Sequence, residues 1–188
     1  GCSVLDWLRN TFFPEKSYTD LNQMAMQAET IENHTFLYPY FAGSGSLHYN
    51  QEVRGFLYGL DLNTQAGQIV KSVFEGVAYQ IKENLDVVEE IYKPVQELRI
   101  FGGGSKSDAW CQVISDITDK PVVALYTSET ASLGAAILAG LAAGVFKNPH
   151  EAFGFIKPKR VFEPQRDAVE NYKGQYQEYL AIQKKVMG

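Results

Sequence analysis

Three consecutive glycines, Gly102, Gly103 and Gly104, stand between a short apolar run and a polar segment that ends in Ser107 and Asp108. The apolar run predicts a β-strand, and Ser107 or Asp108 predicts the cap of a following helix. Glycine lets a backbone turn sharply and approach a ligand closely, and a helix start offers unpaired N–H groups and a positive dipole end. The pattern fits a nucleotide-binding turn, and it fits equally a tight strand-to-helix turn with no ligand.

Two common nucleotide-binding motifs are absent from this turn. The dinucleotide fingerprint Gly-x-Gly-x-x-Gly requires a glycine where this chain has Ser107. The P-loop requires a glycine before its lysine, whereas Ser105 precedes Lys106 here. Neither a Rossmann dehydrogenase nor a P-loop kinase is supported.

Side chains for metal or redox chemistry are sparse. The histidines, His34, His48 and His150, are far apart, and none has a second ligand at metal-site spacing. The cysteines, Cys2 and Cys111, form neither a disulfide framework nor a CxxC site. We therefore expect no metal ion held by protein side chains, and a cytoplasmic protein.

The composition indicates a compact globular chain. Of its 188 residues, 45% are hydrophobic and 21% are charged, with a net charge of −5, which is close to the globular average. Basic residues are not clustered as a nucleic-acid binder requires, and no apolar stretch is long enough for a membrane helix. A secretory signal is absent from the first residues. We expect no nucleic-acid partner and no membrane partner.

The elements that must position the glycine turn alternate between helices and strands. The apolar spacing predicts helices at about 5–12, 19–28, 64–91, 107–117 and 131–143 and from 167 onward, and strands at about 36–41, 53–60, 97–101 and 121–126. The prolines between 147 and 166 predict a loop there. The alternation in the second half favours an α/β domain.

Three separated segments resemble signature motifs of the FGGY carbohydrate kinases, in the order those kinases have them. They are 55–79, with Gly-x-Leu-x-Gly-Leu and then Ser-Val-Phe-Glu-Gly-Val-Ala-Tyr; 102–122, with Gly-Gly-Gly-Ser-Lys-Ser-x-x-Trp-x-Gln; and 129–146, with Glu-x-x-Ser-Leu-Gly-Ala-Ala-Ile-Leu-Ala-Gly. A lone glycine triplet is a weak signal, but the ordered set is specific. The motifs cover roughly residues 36–146.

The resemblance implies an α/β fold, namely the actin-like ATPase domain with a ribonuclease H-like core that forms the C-terminal domain of these kinases. In that family the N-terminal domain mainly holds the sugar, and the C-terminal domain mainly holds adenosine. Mg²⁺ neutralises phosphate charge, and an aspartate acts as general base on the sugar hydroxyl. The expected ligands are therefore ATP or ADP with Mg²⁺, and a sugar held by the other domain. A homodimer stays an open alternative.

The resemblance also implies a domain organisation. Residues 1–188 are expected to form the C-terminal nucleotide-binding domain, with a helical lead-in at 1–35, a motif-bearing core at 36–146, and a C-terminal loop and helix at 147–188. The N-terminal sugar-binding domain, both phosphate-binding hairpins and the general-base aspartate are expected upstream of Gly1. No catalytic residue is therefore assigned in this chain, and the chain alone is expected to be an inactive part of an ATP-dependent carbohydrate kinase.

The family pattern assigns roles to five residues of the glycine turn and the helix after it. Gly103 is expected to pack its backbone against the nucleotide, and Ser107 to contact adenine or ribose. Gly102 and Gly104 keep the turn open. Gln112 is expected to support the turn from the next helix, either as part of the nucleotide site or as a purely structural brace, and we prefer the brace.

Three further expectations concern packing. Trp110 lies on an apolar helix face and is expected in the core rather than stacked on adenine. The Gly-Ala-Ala run at 134–136 is expected to pack closely beneath the nucleotide loop. Glu75, inside the long helix, is either a charge paired in the core or a hinge residue.

One segment departs from the family pattern. Many members carry Gly-Glu-Arg-x-Pro shortly after a Pro-Tyr pair, whereas this chain has Ser44, Gly45 and Ser46 after Gly43. A Gly-Ser pair here resembles sugar kinases of the L-xylulose type, which favours a ketopentose such as xylulose as the substrate. The rival hypothesis is a nucleotide-gated regulatory or interaction module on the actin-like fold, without sugar chemistry.

Overall fold

The computed structural model describes residues 2–28, 35–45, 47–127 and 129–187. Its elements in chain order are α1 (Cys2–Phe12), α2 (Tyr18–Gln27), β1 (Phe36–Tyr38), β2 (Phe56–Tyr58), α3 (Ala66–Ile91), β3 (Leu98–Ile100), a 3-10 turn (Gly103–Lys106), α4 (Asp108–Thr118), β4 (Val122–Leu125), α5 (Thr130–Ala142), α6 (Pro149–Phe153), β5 (Pro158–Phe162) and α7 (Arg166–Met187). The six predicted helices and four predicted strands are all present, and the strands are shorter than predicted. Residues 29–34 of the predicted lead-in, and Ser46 of the Gly-Ser segment, lie outside the described residues.

The described strands form two small sheets. β1 and β2 pair antiparallel, with Phe36 opposite Tyr58. In the second sheet β4 lies between β3 and β5. β3 pairs with it in parallel, and β5 pairs antiparallel with Val122 opposite Phe162. All four residues of β4 are buried, as a central strand requires.

The loop predicted for 147–166 is wrong in part, because this segment contains α6 and β5. Four of the five residues of β5 are exposed, and the strand begins with a proline. A proline at the start of an edge strand removes no ladder hydrogen bond that the strand needs. Pairing with β4, some 35 residues earlier in the chain, therefore forms a strand that local sequence does not predict.

The first half of α3 is the centre of the core. Five of its apolar residues there are at most 1% exposed, namely Val70, Val73, Phe74, Ala78 and Tyr79. A Cβ atom at Gly76 would lie 2.1 Å from the carbonyl oxygen of Leu37, so β1 packs directly on the backbone of this helix. Trp110 of α4 stacks on Phe74 and donates its indole N–H to the Phe74 carbonyl over 3.2 Å. Trp110 therefore lies in the core, as predicted.

The C-terminal helix α7 closes the other side of this core with tyrosines. Tyr179 stacks on Tyr38 with ring centroids 4.3 Å apart, and the Tyr38 hydroxyl donates to the Tyr179 carbonyl over 2.8 Å. Tyr79 of α3 packs against both Tyr176 and Tyr179. Aromatic pairs of this kind stabilise beyond their buried area, so α7 is an integral part of the fold.

Glu75 is a buried carboxyl paired in the core rather than a hinge residue. It is 4% exposed and accepts a 3.0 Å hydrogen bond from the Tyr172 hydroxyl of α7. Burial raises the pKa of Glu75 to about 7, although attraction to Lys71 and the Tyr172 hydrogen bond both oppose this rise. Burial likewise lowers the pKa of Lys71. Both shifts favour the neutral forms, so desolvation outweighs the attraction between the two groups.

The packing predicted for the Gly-Ala-Ala run at 134–136 is wrong. Helix α5 contributes no buried residue, Ala135 is exposed, and a Cβ atom at Gly134 would have no heavy atom within 4 Å. Among the described elements, α5 makes its main contacts with α6. Leu138 is 68% exposed, so the apolar composition of α5 is not matched by a partner surface in the described residues.

Across the described ranges, no helix combines the length and the apolar character needed to cross a bilayer.

The exposure of α5 predicts how it tolerates a larger side chain. Ala135→Leu should change the free energy of unfolding by less than about 0.5 kcal/mol, because an exposed site has room for the added atoms. The matched control is Ala78→Leu, at a position with no exposed surface, which should destabilise by about 1–3 kcal/mol through overpacking. Urea denaturation measures both. Equal destabilisation by the two substitutions would show that Ala135 is buried.

The buried carboxyl of Glu75 predicts a pH-dependent stability. Its pKa is about 7 when folded, against an ordinary value of 4.5, so between these pH values the folded state binds a proton that the unfolded state has lost. Stability from this group is complete below pH 4.5 and decreases as the pH rises through 7. Relative to Glu75→Gln, the protein should lose on the order of 2–3 kcal/mol between pH 4.5 and 8.

Urea denaturation of both proteins across that pH range tests this prediction. Titrating groups that do not interact with Glu75 are common to the two proteins, so their contribution cancels in the difference. Parallel stability curves would contradict the assignment of a neutral, buried Glu75.

Candidate functional site

The glycine turn has the predicted geometry of strand, turn and capped helix. Gly102 follows β3 with φ of 76°, a left-handed conformation that glycine adopts without strain. The 3-10 turn comes next, and the Ser105 hydroxyl donates to the Gly102 carbonyl over 2.8 Å. Ser107 then caps α4 by accepting a hydrogen bond of 3.1 Å from the backbone N–H of Trp110. The local prediction from sequence is confirmed, with Ser107 rather than Asp108 as the cap.

A cleft of about 480 Å³ lies between the glycine turn and the first two helices. This volume is within the range of sites for small organic ligands. The lining residues come from α1, α2 and the turn, and are Cys2, Asp6, Tyr18, Thr19, Asn22, Gly103, Lys106 and Ser107. Two of the predicted site residues, Gly103 and Ser107, therefore lie together at the cleft.

Gly103 forms the closest part of the cleft wall. A Cβ atom there would lie 3.2 Å from the Sγ atom of Cys2, which is tighter than an ordinary contact, whereas at Gly104 the corresponding distance is 3.7 Å. At Gly102 a Cβ atom would meet no heavy atom within 4 Å. Gly102 is thus needed for its backbone conformation, and Gly103 for the space that a missing side chain leaves beside α1.

Ser107 connects the turn to α2. Its hydroxyl donates to the Oδ1 atom of Asn22 over 2.8 Å while accepting from Trp110. Only 8% of Ser107 is exposed. Both walls of the cleft are therefore joined by a hydrogen bond at its base.

Gln112 lies away from the cleft. Its Nε2 atom donates to Asp116 and to the backbone carbonyl of Glu163, each over 2.9 Å, and so ties α4 to the segment before α7. Burial raises the pKa of Asp116, opposed by hydrogen bonds from the Gln165 backbone and from Gln112. These contacts describe a brace within the fold. A role of Gln112 in nucleotide binding stays a prediction.

The wall formed by α1 and α2 is not predicted by sequence motifs. The Tyr18 hydroxyl donates to Asp6 over 2.7 Å, which raises the pKa of Tyr18, and the Arg9 guanidinium lies 4.7 Å from the Tyr18 ring. These contacts fix the start of α2 against α1. Asp20, also near the start of α2, forms a capping box with Ser17.

A second and larger cavity, of about 560 Å³, lies beside Glu83 in the second half of α3. It contains none of the glycine-turn residues. Its lining residues come from the loop at 47–50, from α3 and from α7, and are His48, Tyr49, Asn50, Glu83, Leu180, Gln183, Lys184 and Met187. Size alone would favour this cavity, but the motif residues lie at the smaller cleft, which is therefore the candidate site.

Metal binding by side chains has no visible basis in the described part of the chain. No group of three or more His, Cys, Asp or Glu side chains there is arranged to hold a metal ion. The residues of the cleft do not fit a protein-held Mg²⁺ site, because Asp6 is the only carboxylate among its lining residues.

Comparison with known proteins shows the family to which the chain belongs. The model of the C-terminal domain of the FGGY family of carbohydrate kinases matches residues 1–143. A xylulose kinase from Bacillus subtilis (strain 168) is 32% identical over 180 residues, which are 95% of this chain and 36% of that protein. A glycerol kinase from Limosilactobacillus reuteri (strain DSM 20016) is 32% identical over 185 residues, which are 96% of this chain and 37% of that protein.

Solved structures share the fold. The ligand-bound xylulose kinase from Lactobacillus acidophilus superposes with a TM-score of 0.87 at 23% identity, over 100% of this chain and 38% of that one. The Plasmodium falciparum glycerol kinase with ADP gives 0.77 at 22% identity, over 95% of this chain and 36% of that one. The fold is thus the actin-like ATPase fold of FGGY sugar kinases, as predicted. The chain spans less than two fifths of the length of these relatives.

The cap at Ser107 predicts a stability effect. Ser107→Ala should lower the free energy of unfolding by about 1–2 kcal/mol, because α4 loses its N-cap and Asn22 loses its hydrogen bond. Ser107→Asp is the control for the cap alone, since its carboxylate can accept from the Trp110 N–H but cannot donate to Asn22, and it should recover part of the loss. Thermal and urea denaturation measure both. Equal stability of all three proteins would contradict the capping geometry.

Proposed function

We propose that this chain, which belongs to the FGGY family of carbohydrate kinases, forms the ATP-binding half of a kinase that transfers the γ-phosphate of ATP to a hydroxyl of a ketopentose such as xylulose. The observation that carries the proposal is the cleft at Gly103. There the turn that contains three consecutive glycines meets α1 and α2, and leaves a space of a size suited to a nucleoside.

Contacts in the cleft support adenosine as the part of ATP that binds here. Gly103 is exposed and lines the cleft, so its backbone is accessible to a flat ring. The amide of Asn22 and the side chain of Thr19 add polar groups at the same cleft. A related glycerol kinase has been solved with ADP, which shows that an ADP-binding protein shares this fold.

The sugar and the catalytic base are proposed to be held elsewhere in the complete kinase. Asp20 is engaged in the capping box of α2, and Asp61 accepts hydrogen bonds from the Asn63 backbone and the Thr64 hydroxyl. Both carboxylates are therefore occupied within local turns. Phosphoryl transfer depends on positioning the nucleophile and neutralising charge, and this chain supplies the nucleotide half of that arrangement.

Mg²⁺ would accompany the phosphates of ATP and neutralise part of their charge. No group of three metal-binding side chains is present among the described residues. Lys106, at the exposed end of the 3-10 turn, is the cleft residue that could lie near the phosphate tail.

A ketopentose is favoured over glycerol by the segment after β1. Ser44 and Gly45 stand where many family members have Glu and Arg, and Ser44 is buried with backbone hydrogen bonds to Asn50 in both directions. Its resemblance to sugar kinases of the L-xylulose type supports this choice. The relatives do not separate the two substrates, because a xylulose kinase and a glycerol kinase are equally identical to this chain. Purified complete kinase should therefore turn over xylulose with a higher kcat/KM than glycerol or gluconate.

The first test of the proposed function uses nucleotide binding by the 188-residue chain. Calorimetry should detect MgADP binding, and Gly103→Val should weaken it by at least about tenfold, because the branched side chain fills the space beside Cys2. Gly174→Val is the matched control. Gly174 lies exposed on α7 with no heavy atom within 4 Å of a Cβ position, so ADP binding should be unchanged there.

Two results would contradict the adenosine assignment. One is the absence of ADP binding by the folded, unsubstituted chain. The other is equal ADP affinity of the Gly103→Val and Gly174→Val proteins, with folding of both verified by circular dichroism.

The second test concerns catalysis. The 188-residue chain alone should produce no sugar-dependent ADP, because transfer requires nucleotide, sugar and base within near-attack distance. A coupled assay with xylulose, ribulose, glycerol and gluconate measures this, with the complete kinase as the positive control. Sugar-dependent ADP production by the chain alone would show that the base and the sugar site lie within it.

A further inference from the structure

The hydrogen-bonding capacity of Ser107 is already used within the protein. A hydroxyl has one hydrogen to donate, and that hydrogen goes to Asn22 over 2.8 Å. One oxygen lone pair accepts the backbone N–H of Trp110. Ser107 therefore has no free hydrogen for a nucleotide unless its bond to Asn22 breaks.

This bond fixes which way the Asn22 amide points. If the oxygen and nitrogen of the amide were exchanged, Nδ2 would donate to Ser107, whose hydroxyl hydrogen would then need another acceptor at a site that is 8% exposed. Amide orientation is assigned from the hydrogen-bond network, and only the observed orientation pairs the hydroxyl in both directions. The Nδ2 group of Asn22 is consequently left as a donor of two hydrogens.

Those two hydrogens lie at the cleft. Asn22 is half-buried on α2 and lines the cleft together with Gly103 and Ser107. Among the described residues, none accepts a hydrogen bond from Nδ2. A half-buried donor without a protein partner is available to a ligand, whereas the amide oxygen, engaged by Ser107, is not.

We propose that Asn22 recognises the nucleoside by donating a hydrogen bond from Nδ2 to a ring nitrogen of the purine base. Ser107 is then a positioning residue, because its hydrogen bond holds the Asn22 amide in the required orientation. The proposal rests on the proposed function, because it takes the cleft to hold adenosine. Adenine offers unprotonated ring nitrogens at N1, N3 and N7, which are the acceptors that such a donor matches. In this proposal Asn22, rather than Ser107, makes the nucleoside contact that the family pattern assigns to Ser107.

Asn22→Asp tests this assignment, because the carboxylate keeps the shape and an acceptor for Ser107 but loses both donor hydrogens. Calorimetric affinity of the 188-residue chain for MgADP should fall by about three- to tenfold or more, as expected for one lost hydrogen bond. Gln23→Glu is the matched control. It makes the same amide-to-carboxylate change one residue along α2, at an exposed position outside the cleft, and should leave ADP affinity within twofold of the unsubstituted chain.

Analogues of ADP in which N1, N3 or N7 is replaced by C–H separate this contact from general charge effects. One analogue should bind the unsubstituted chain more weakly than ADP, by about the same factor that Asn22→Asp costs, and should lose nothing further in an Asn22→Leu variant. Asn22→Leu also serves if Asn22→Asp does not fold. Thermal denaturation checks that each variant is folded.

The possible failures are distinguishable. If the unsubstituted chain binds no ADP, the proposed function fails, and this inference fails with it. If ADP binds but Asn22→Asp and Gln23→Glu have equal affinities, only the role of Asn22 is overturned. The same holds if all three analogues lose as much affinity in Asn22→Leu as in the unsubstituted chain.

Discussion

The burial of the first half of α3 is the constraint on which the rest of the structure depends. α2, α4 and β1 all pack on this half-helix, so their relative positions follow from it. Gly76 allows β1 to approach the helix backbone, and the stacked pair of Phe74 and Trp110 holds α4. The cleft exists because α2 and α4 both pack on α3, with the Ser107–Asn22 hydrogen bond joining its two walls.

Polar groups in this core have to be satisfied locally. Glu75, Lys71 and Tyr172 lie where α3 meets α7, and burial shifts both charged groups toward their neutral forms. A buried carboxyl that keeps its proton donates or accepts hydrogen bonds without the full penalty of a buried charge. In the cleft, too, a polar group is satisfied within the protein, because the hydroxyl hydrogen of Ser107 is donated to Asn22.

Much of the fold could be predicted because its signals are local. Ser17 and Ser107 mark helix starts by capping, and Gly102 marks a left-handed turn. The strand β5 could not be predicted, because it is an exposed edge strand that exists through pairing with β4. The exposure of α5 could not be predicted either, because apolar composition indicates that a helix can be buried and says nothing of whether a partner surface is present.

One wall of the candidate site could be predicted from the sequence, and the other could not. Gly103 and Ser107 belong to a motif with a physical signature, so the sequence predicts that wall of the cleft. Asn22 and Asp6 lie on amphipathic helices whose polar positions carry no distinguishing pattern. Their importance arises from packing α1 and α2 against the turn, which is a long-range consequence of the α3 core. Gln112 is close to the motif in sequence, but it does not line the cleft, and its side chain bonds to the backbone carbonyl of Glu163 instead.

The most direct measurement of the central claim, that adenosine binds between Gly103 and the first two helices, is a titration of the ¹⁵N-labelled chain with MgADP followed by NMR. The account predicts that the amide signals of Gly103 and Ser107, the side-chain amide signals of Asn22, and signals from 2–6 shift together with one dissociation constant. Signals from 47–50 and 180–187, around the larger cavity, should not shift. Shifts confined to that larger cavity, with the signals of Gly103 and Asn22 unchanged, would contradict the account.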